Sequence, residues 1–578
     1  MGRKILIVGG VTGGASCAAR LRRLDETAEI VIFERGSEVS YSSCCLPYFL
    51  SRVVADSDSL VLVSPEKFRR QYNIEARTGQ EVVAIDRENK RVRVRRLADG
   101  HEYEERYDVL VLSPGGDPIV PPGISGAARE NVFTVHNVAD IERLDAFLSD
   151  CDALGIHAFV RRAEVRRVVV VGGGFAGLEM AENLSAAGLS VTLVEAANQL
   201  MTPFDFDMAQ ILTKELLDRD VALVLGDSVQ SVADSAVTLA SEREIAAEAV
   251  ILAIGIRPAV KLAADCGLAL GNSGGIRVDH NYQTSDPAIY AVGDAVEVYN
   301  RLPRRHSILP MAWPAQMAGR AAADHINGRP HRGKGFIGSA VLRVFSLYAA
   351  VTGLTEKAAR AEGIPAEAVY VIPQDKVKIM PGSAALHLKL IFETPTGRIL
   401  GAQAIGGGEA VSRRIDVIAA LIAMGGTLED LKETELCYTP AVGTTKDAVH
   451  MAALVGLNLL DGRFRQVAVD KARDLVEEGA YIIDVREAQE YAAGHFRTAV
   501  NLPLSELRQR LDEIPKDRPV YLHCRSGQRS YNAVMALQQL GFDNVWNMAG
   551  SYLGVCLFEY ARDVMEGREK IVTAYNFT

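Results

Sequence analysis

The sequence has 578 residues, of which 48% are hydrophobic and 24% are charged, and its formal net charge is -10. This balance is typical of a folded globular protein and predicts about four domains. The acidic charge argues against nucleic acid as a partner, because binding to a phosphate backbone needs a basic face. No apolar run approaches the roughly 18 residues of a membrane span, and no signal peptide is recognisable, so we expect no membrane association.

Cysteines are scattered along the chain, at positions 17, 44, 45, 151, 266, 437, 524 and 556. This spacing fits neither a disulfide framework nor a paired Cys-x-x-Cys metal site, so we predict no metal. Free thiols are typical of a reducing compartment, which predicts a cytoplasmic protein.

The chain opens with a dinucleotide-binding pattern. A β-branched run at residues 4 to 8 leads into Gly9-Gly10-Val11-Thr12-Gly13-Gly14, and a helix is predicted over residues 15 to 24. Such a turn brings backbone N–H groups to a pyrophosphate. Val11 replaces the middle glycine of the pattern, but Glu34 ends the next strand and offers a carboxylate to ribose hydroxyls. The alternative is a tight strand-to-helix turn without a ligand.

A cysteine follows this unit, in the small polar run from Ser40 to Tyr48. An apolar segment comes next, so Cys44 is predicted at a helix N-terminus, where unpaired N–H groups and the helix dipole favour a thiolate. Cys44 is our candidate redox centre, and the alternative is a buried structural cysteine. Two basic clusters either form solvated faces or hold substrate phosphates near Cys44: Arg20, Arg22 and Arg23 of the first helix, and Lys67, Arg69 and Arg70 of a later segment.

A second unit has the complete glycine pattern. A strand at residues 168 to 171 precedes Gly172-Gly173-Gly174-Phe175-Ala176-Gly177, a helix is predicted over 178 to 187, and the next strand ends in Glu195. This order is the fingerprint of a dinucleotide-binding fold. The Glu195 carboxylate accepts from the 2′-hydroxyl of NAD and repels a 2′-phosphate, and residues 196 to 198 contain no arginine. We therefore expect NADH to be preferred over NADPH.

The C-terminal region carries a second candidate thiol. A strand at residues 520 to 523 delivers Cys524 into a loop with Arg525 and Arg529. Successive N–H groups and the dipole of the following helix favour a thiolate there, and the guanidinium groups hold an anionic substrate. We expect an active thiol, and a loop that has lost its activity is the alternative.

Residues 1 to about 450 resemble the flavin-dependent pyridine-nucleotide disulfide oxidoreductases, on the two glycine motifs, their acids and the pair Gly293-Asp294. The motif Ser40-x-x-x-Cys44-x-x-Pro47-Tyr48 resembles the single-cysteine branch of coenzyme A disulfide reductases, NADH oxidases and NADH peroxidases. Residues 465 to 560 resemble the rhodanese family, whose later Gly-Gly appears here as Gly550-Ser551. The resemblance implies FAD at the first glycine motif.

The candidate cofactor residues lie in the glycine turns and at neighbouring strand ends: Gly9, Gly10, Gly13, Gly14, Glu34, Arg35, Val83, Ser113, Gly115, Gly172, Gly174, Gly177, Glu195, Gly255, Gly293 and Asp294. The coenzyme A disulfide reductases are most similar within the branch, which implies coenzyme A as substrate moiety or bound ligand. Its implied contacts are Ser16, Arg20, Arg23, Ser40 and Ser43, and Arg525 and Arg529 are the substrate contacts of the C-terminal thiol.

The resemblance also implies a homodimer, formed through residues 335 to 460. In that family a tyrosine, here Tyr438, reaches the partner's active site and donates a proton to a leaving thiolate. A buried structural tyrosine is the alternative. Ile379 and Met380 stand where the family has two tyrosines, so a second proton donor is absent.

Cys45 stands where the family has glycine or alanine. It is either another small residue in a tight place or a resolving, sulfur-accepting thiol beside Cys44. A vicinal disulfide would require a strained turn.

The sequence thus predicts an α/β protein with two Rossmann-like dinucleotide-binding domains, an α+β dimerisation domain and a C-terminal rhodanese-like α/β domain. The predicted boundaries are 1–145 and 259–334 for FAD, 146–258 for NAD, 335–460 for dimerisation, and 461–578 for the rhodanese domain with its C-terminal tail. The expected activity is FAD-dependent reduction by NADH of coenzyme A persulfide, polysulfide or coenzyme A disulfide through Cys44, with Cys524 delivering sulfur. An NADH oxidase or peroxidase that cycles a cysteine sulfenic acid, and a redox sensor or sulfur carrier, are the alternatives.

Overall fold

The computed structural model describes residues 2–149 and 166–577, so that Cys151 and part of the predicted NAD-binding domain lie outside it. The chain folds into two compact units. The first is Met1–Ala196 with Gly226–Phe336, and the second is Ala197–Leu225 with Ile337–Thr578. Each unit has its own buried apolar core.

The described helices are, in chain order, α1 (Thr12–Leu24), α2 (Leu46–Leu50), α3 (Pro65–Tyr72), α4 (Val138–Leu148), α5 (Phe175–Ala186), α6 (Phe206–Asp218), α7 (Lys261–Asp265), α8 (Ala312–Ile326), α9 (Glu356–Ala361), α10 (Ala410–Met424), α11 (Leu428–Glu433), α12 (Ala448–Leu460), α13 (Ala472–Glu477), α14 (Ala488–Ala492), α15 (Gln528–Gln539) and α16 (Ser551–Glu566).

The described strands are β1 (Lys4–Val8), β2 (Glu29–Glu34), β3 (Glu75–Thr78), β4 (Gln80–Asp86), β5 (Arg91–Arg96), β6 (Glu102–Arg106), β7 (Val109–Leu112), β8 (Gly116–Pro118), β9 (Val132–Phe133), β10 (Arg167–Val171), β11 (Ser190–Glu195), β12 (Ala222–Leu225), β13 (Val229–Val232), β14 (Ala236–Leu239), β15 (Glu244–Ala246), β16 (Ala249–Leu252), β17 (Ile256–Pro258), β18 (Ile289–Ala291), β19 (Val298–Asn300), β20 (Arg305–Ser307), β21 (Ser339–Val344), β22 (Leu347–Gly353), β23 (Ala366–Val371), β24 (Leu386–Glu393), β25 (Ile399–Gly406), β26 (Gln466–Val467), β27 (Tyr481–Asp484), β28 (Ala499–Asn501), β29 (Val520–His523) and β30 (Val545–Met548).

Two parallel sheets organise the first unit. The strand order of one is β18-β7-β1-β2-β3, and the other contains β11-β10-β16-β9. Because β1 pairs with β2 on one side and β7 on the other, the end of β1 is a topological switch point. The end of β10, between β11 and β16, is a second one. Ligands of open α/β sheets bind at such points.

Both nucleotide helices begin earlier than the sequence predicted. Helix α1 begins at Thr12 rather than at residue 15, and α5 begins at Phe175 rather than at 178. The last glycines of each turn therefore belong to the first helical turn, which brings its free N–H groups closer to the strand end.

The second unit contains one antiparallel and one parallel sheet. Strands β21-β22-β25-β24-β23 are antiparallel and pack against α10 and α12. Strands β26-β30-β29-β27-β28 are parallel and pack against α15, which follows β29. The turn from β29 into α15 therefore lies at the carboxyl edge of a parallel sheet, where α/β proteins bind ligands.

Helix α6 packs against α16 within the second unit. The Phe206 and Phe558 rings meet edge to face with centroids 5.7 Å apart. Near the chain end, Lys214 Nζ lies 4.2 Å from the centroid of Phe577. These aromatic contacts join α6, α16 and the C-terminal tail in one apolar contact surface.

A buried ion cluster joins α6 to β24. Lys389 Nζ lies 2.9 Å from Asp207, 3.1 Å from Glu356 and 3.3 Å from Asp205. Burial alone would lower the pKa of the Lys389 ammonium, but the carboxylates outweigh it and raise that pKa. Burial raises the pKa of Asp207 even though Lys389 opposes it. This cluster holds three carboxylates against one ammonium.

Membrane-spanning helices and metal clusters are both absent from the described part of the chain. None of its helices combines the length and apolar composition that crossing a membrane requires. Residues 2–149 and 166–577 also contain no group of three or more His, Cys, Asp or Glu side chains that is able to hold a metal ion.

Candidate functional site

The first glycine turn packs so closely that side chains do not fit. Gly9 has φ +92, and a Cβ there would lie 2.0 Å from the carbonyl oxygen of Ser113. A Cβ at Gly14 would lie 1.9 Å from the Gly9 oxygen, and one at Gly13 would lie 2.8 Å from Ser113 Oγ. The same Ser113 hydroxyl would be 3.4 Å from a Cβ at Gly293. The structure thus brings several predicted cofactor residues together.

The acid of this unit lies beside the turn. The backbone N–H groups of Gly10 and Gly36 donate to the Glu34 carboxylate, each at 2.8 Å. Burial raises the pKa of Asp294, in the single 3-10 turn Gly293–Ala295. A dinucleotide cofactor requires N–H groups at a helix N-terminus for its pyrophosphate, a glycine turn that lets the backbone come close, and a strand-end carboxylate for its ribose. These residues therefore fit FAD.

Four other predicted cofactor residues have less distinctive surroundings. Val83 lies at a β-bulge of β4, and Arg35 is exposed and forms an ion pair with Asp117 at 3.2 Å. Gly115 and Gly255 both have positive φ, of +70 and +120, just after β7 and β16. Gly115 and Gly255 thus lie in the turns after strands, as the sequence predicts for them.

The second glycine turn repeats the geometry of the first. Gly172 has φ +113, and a Cβ at Gly177 would lie 1.8 Å from its carbonyl oxygen. The Gly173 N–H donates to Glu195 at 2.6 Å. A Cβ at Gly174 would meet no described atom within 4 Å, so the space beside this glycine is empty. Gly174 is the glycine of the pattern at which the backbone approaches a pyrophosphate.

Cys44 lies in a single 3-10 turn, Ser43–Cys45, that continues into α2. Contrary to the sequence-based expectation, the pKa of the Cys44 thiol is raised. The Cys44 side chain is exposed, so the alternative of a buried structural cysteine is wrong. Neighbouring atoms still desolvate the thiol, and this desolvation is the main cause of the raised pKa; the negative charge of Glu179 adds to it, while a hydrogen bond with Ser43 acts in the opposite direction. Helix α2 has only five residues, so its dipole is too short to dominate.

Glu179 is a functional candidate that our sequence analysis missed. It lies in α5, which packs against α2, and burial together with the Glu182 charge raises its pKa to about 7. Its signal in the sequence was an acid two residues after Gly177, on a helix that is otherwise apolar there. A carboxyl that titrates near neutral pH is common at functional sites.

We predict that Glu179→Gln lowers the pH at which Cys44 becomes alkylated. The Glu179 carboxyl is charged mainly above pH 7, where its charge contributes to the raised pKa of Cys44. The alkylation profiles of variant and wild type should therefore separate above pH 7 and converge below it. Iodoacetamide labelling, followed by mass spectrometry of the Cys44 peptide, measures this. Glu179→Asp keeps the charge and is the matched control, and coincident profiles above pH 7 would contradict the prediction.

Cys45 is half-buried and held by a neighbour. The Ser42 hydroxyl donates to Cys45 Sγ at 3.1 Å, and the Cys45 N–H donates to the Ser42 carbonyl at 3.1 Å. Both the packing role and the sulfur-accepting role are compatible with this position.

The predicted coenzyme A contacts are unequal. Arg20 is half-buried and lies 2.6 Å from Asp324 of α8, whereas Arg23 is exposed. Arg22, between them in sequence, is buried and donates to five backbone carbonyls. The helix arginines are therefore neither a single solvated face nor a single binding cluster. Ser16 and Ser40 are half-buried, and Ser43 is exposed.

Tyr438 lies in the segment between α11 and α12 and is 46% exposed. A buried structural role, the alternative for this residue, does not apply within the chain. Ile379 is 89% exposed in the same unit. Both side chains are accessible to a partner.

The Cys524 loop connects β29 to α15. The Gly527 N–H donates to Cys524 Sγ at 3.1 Å, and the Ser530 hydroxyl lies 3.6 Å from the same sulfur. Cys524 is 1% exposed. One loop N–H and one hydroxyl group thus face this sulfur. The thiolate that the sequence predicts for Cys524 stays a prediction.

The two loop arginines differ. Arg529 makes a two-pronged ion pair with Glu490, at 2.6 and 2.7 Å. Arg525 has no ion pair with a carboxylate of the described chain, and burial together with the Arg486 charge lowers its pKa. A half-buried cation without a counter-ion favours an anionic ligand. Arg525 is therefore the better placed of the two to bind substrate.

Comparison with known families covers most of the chain. Residues 3–319 match the family described as pyridine nucleotide-disulphide oxidoreductase, and residues 340–449 match its dimerisation domain. Residues 468–557 match the rhodanese-like domain. Together with the parallel sheets, these matches confirm the predicted fold class.

Similar proteins extend over the same ranges. Coenzyme A disulfide reductase of Staphylococcus aureus (strain JH9) is 31% identical over 449 residues, which cover 78% of this chain and 98% of that protein. The structure of reduced Bacillus anthracis CoADR-RHD is 40% identical with a TM-score of 0.91, covering 97% of this chain and 99% of that chain. A NAD-dependent persulfide reductase from A. fulgidus is 31% identical with a TM-score of 0.88, covering 96% and 99%. This chain therefore belongs to the pyridine nucleotide-disulphide oxidoreductases, and it carries a C-terminal rhodanese-like domain.

Proposed function

We propose that this protein is an NADH-dependent flavoprotein reductase of sulfane sulfur, acting on coenzyme A persulfide, polysulfide or coenzyme A disulfide. The observation that carries the proposal is the presence of two built thiol sites in one chain. One is Cys44, which follows a glycine cradle that fits FAD, and the other is Cys524, whose sulfur accepts a loop N–H. Similarity to a coenzyme A disulfide reductase and to a persulfide reductase supports this substrate class.

NADH is the proposed donor. Glu195 ends β11 and accepts the Gly173 N–H, which places a carboxylate next to the second glycine turn. Residues 196 to 198 are Ala-Ala-Asn, so this segment offers no cationic side chain to bind the 2′-phosphate of NADPH.

Cys44 is the proposed nucleophile. Its thiolate attacks a sulfur of the substrate S–S bond, forms a mixed disulfide or a persulfide on Cys44, and releases a thiol or sulfide. FAD, when bound, would supply the two electrons, derived from NADH, that cleave this bond; with uptake of protons the Cys44 thiol is restored and the second sulfur leaves as coenzyme A thiol or as sulfide. Because the pKa of the Cys44 thiol is raised, cationic or hydrogen-bonding groups brought by the substrate would help the thiolate to form.

Cys524 is the proposed sulfur carrier. It holds a sulfane sulfur as a persulfide, whose negative charge the loop N–H groups and Arg525 stabilise, and passes it to a small thiol or to Cys44. The tether raises the effective concentration of the sulfur. The dimerisation domain supports a homodimer, in which we assign to Tyr438 the protonation of the leaving thiolate in the partner's site. A reducing cytoplasm fits the described cysteines, all of which are free thiols.

The test is a comparison of electron acceptors with the FAD-loaded protein. NADH consumption is followed with coenzyme A persulfide, polysulfide, coenzyme A disulfide, oxygen and hydrogen peroxide, together with sulfide release. Sulfide or free coenzyme A formed in proportion to NADH supports the proposal. Faster consumption of oxygen or peroxide would overturn it in favour of an oxidase or peroxidase. Rapid flavin reduction with little turnover on every acceptor would instead indicate a sensor or carrier.

A further inference from the structure

Ser551 begins α16 in a backbone conformation that serine rarely adopts. Its φ is +49, directly after Gly550 with φ +68, and its side chain is fully buried. Left-handed backbone costs energy for any residue with a Cβ, and it persists only where the surroundings compensate. The rhodanese pattern has glycine at this position, and glycine adopts a positive φ without strain. The backbone strain at position 551 therefore arises because this chain has serine there.

The Ser551 hydroxyl lies at the base of the Cys524 loop. The Cys524 N–H donates to Ser551 Oγ at 3.2 Å, and the same hydroxyl donates to the Met548 carbonyl at 3.2 Å. Ser530 Oγ, which lies 3.6 Å from Cys524 Sγ, is 3.4 Å from Ser551 Oγ. Glycine at position 551 would remove an acceptor from a buried N–H, which is costly.

The first turn of α16 holds the same loop through its backbone. The Tyr552 N–H donates to the Cys524 carbonyl at 3.1 Å, and the Leu553 N–H donates to the Arg525 carbonyl at 2.9 Å. With the N–H and the carbonyl of Cys524 both bound to α16, its peptide planes are fixed. The thiol is thereby directed to the Gly527 N–H.

We propose that Ser551 is a positioning residue of the sulfur-transfer site: its hydroxyl fixes the backbone of Cys524 so that the loop donors meet the sulfur. This deepens the proposed function and rests on its assignment of sulfur transfer to Cys524. A misplacement of a reacting group by about 1 Å can lower a rate by about 100-fold.

Three variants separate the hydroxyl from the backbone strain. Ser551→Ala keeps the strain and removes the hydroxyl, whereas Ser551→Gly removes both. Lys90→Gly relieves a similar φ of +50 at an exposed turn of the other unit and is the control for strain relief alone. The assay is sulfur transfer from polysulfide to cyanide, read as thiocyanate, together with iodoacetamide labelling of the Cys524 peptide.

We expect Ser551→Ala and Ser551→Gly to lower kcat for thiocyanate formation by about 10- to 100-fold, because the thiol is misplaced. The KM for polysulfide should stay unchanged, because Arg525 is untouched. Both should also slow labelling of Cys524. Ser551→Ala should lower the melting temperature more than Ser551→Gly does, because glycine also relieves the backbone strain. Lys90→Gly should transfer sulfur like wild type. Wild-type kcat and labelling in Ser551→Gly would overturn the proposal. Because labelling needs neither NADH nor FAD turnover, failure of the NADH-driven reaction leaves this test intact.

Discussion

Replacement of Cys44 by serine is expected to abolish NADH-driven sulfide release, by roughly three or more orders of magnitude, while NADH still reduces the bound flavin. A serine hydroxyl is not ionised at neutral pH and cannot form the S–S bond that the proposed step requires. Sulfide detection gives the first quantity, and bleaching of the flavin absorbance under anaerobic conditions gives the second. Full turnover by Cys44→Ser would end the proposed mechanism.

Two other thiols are the matched controls for this experiment. Cys45→Ser removes the adjacent sulfur, and unchanged activity on every substrate would exclude a catalytic role for Cys45. Cys524→Ser should lower sulfide release only for those donors that load the C-terminal thiol. An equal loss with all substrates would contradict separate roles for Cys44 and Cys524.

Lys389→Met is expected to destabilise the protein by about 3–5 kcal/mol, since it leaves buried carboxylates without their cation. The Lys389 side chain is only 7% exposed and contacts Asp205, Asp207 and Glu356. The midpoint of urea unfolding measures the change. Lys261→Met, at an exposed pair with Asp265, is the control and should cost at most about 1 kcal/mol.

The loss in Lys389→Met should depend on pH. Burial already raises the pKa of Asp207, and loss of Lys389 would raise it further. A carboxyl whose folded pKa exceeds its unfolded pKa opposes folding once it ionises. The variant should therefore recover stability as the pH falls through the raised pKa. An unfolding midpoint that stays equally far below that of the wild type as the pH is lowered would contradict this account.

The sequence predicted the parts of the site that depend on local pattern. Glycine turns, strand-end acids and the Cys524 loop follow from residue spacing. A glycine turn between a strand and a helix, with an acid at the end of the next strand, is the pattern of a dinucleotide-binding fold. Spacing also placed Glu195 beside the second glycine turn, where its carboxylate accepts the Gly173 N–H. Both nucleotide helices are present, although each begins three residues earlier than predicted.

Properties that depend on distant residues escaped prediction. The pKa of Cys44 is set by desolvation and by Glu179, which lies 135 positions away in sequence. Two arginines of α1 differ because Arg22 donates to backbone carbonyls whereas Arg20 pairs with Asp324. The hydroxyl of Ser551 meets Cys524 only after β29 and α16 have packed. Residue spacing does not predict such contacts between residues that are far apart in the sequence.

The packing of α6 on α16 has a consequence for the history of the fused chain. Once Phe206 and Phe558 cover each other, a gene fragment encoding the C-terminal part alone yields a polypeptide with bare aromatic surface. A C-terminal fragment that lacks α6 would thus be expected to aggregate, whether or not its thiol site is intact. This contact makes the rhodanese-like domain difficult to separate from the chain that precedes it.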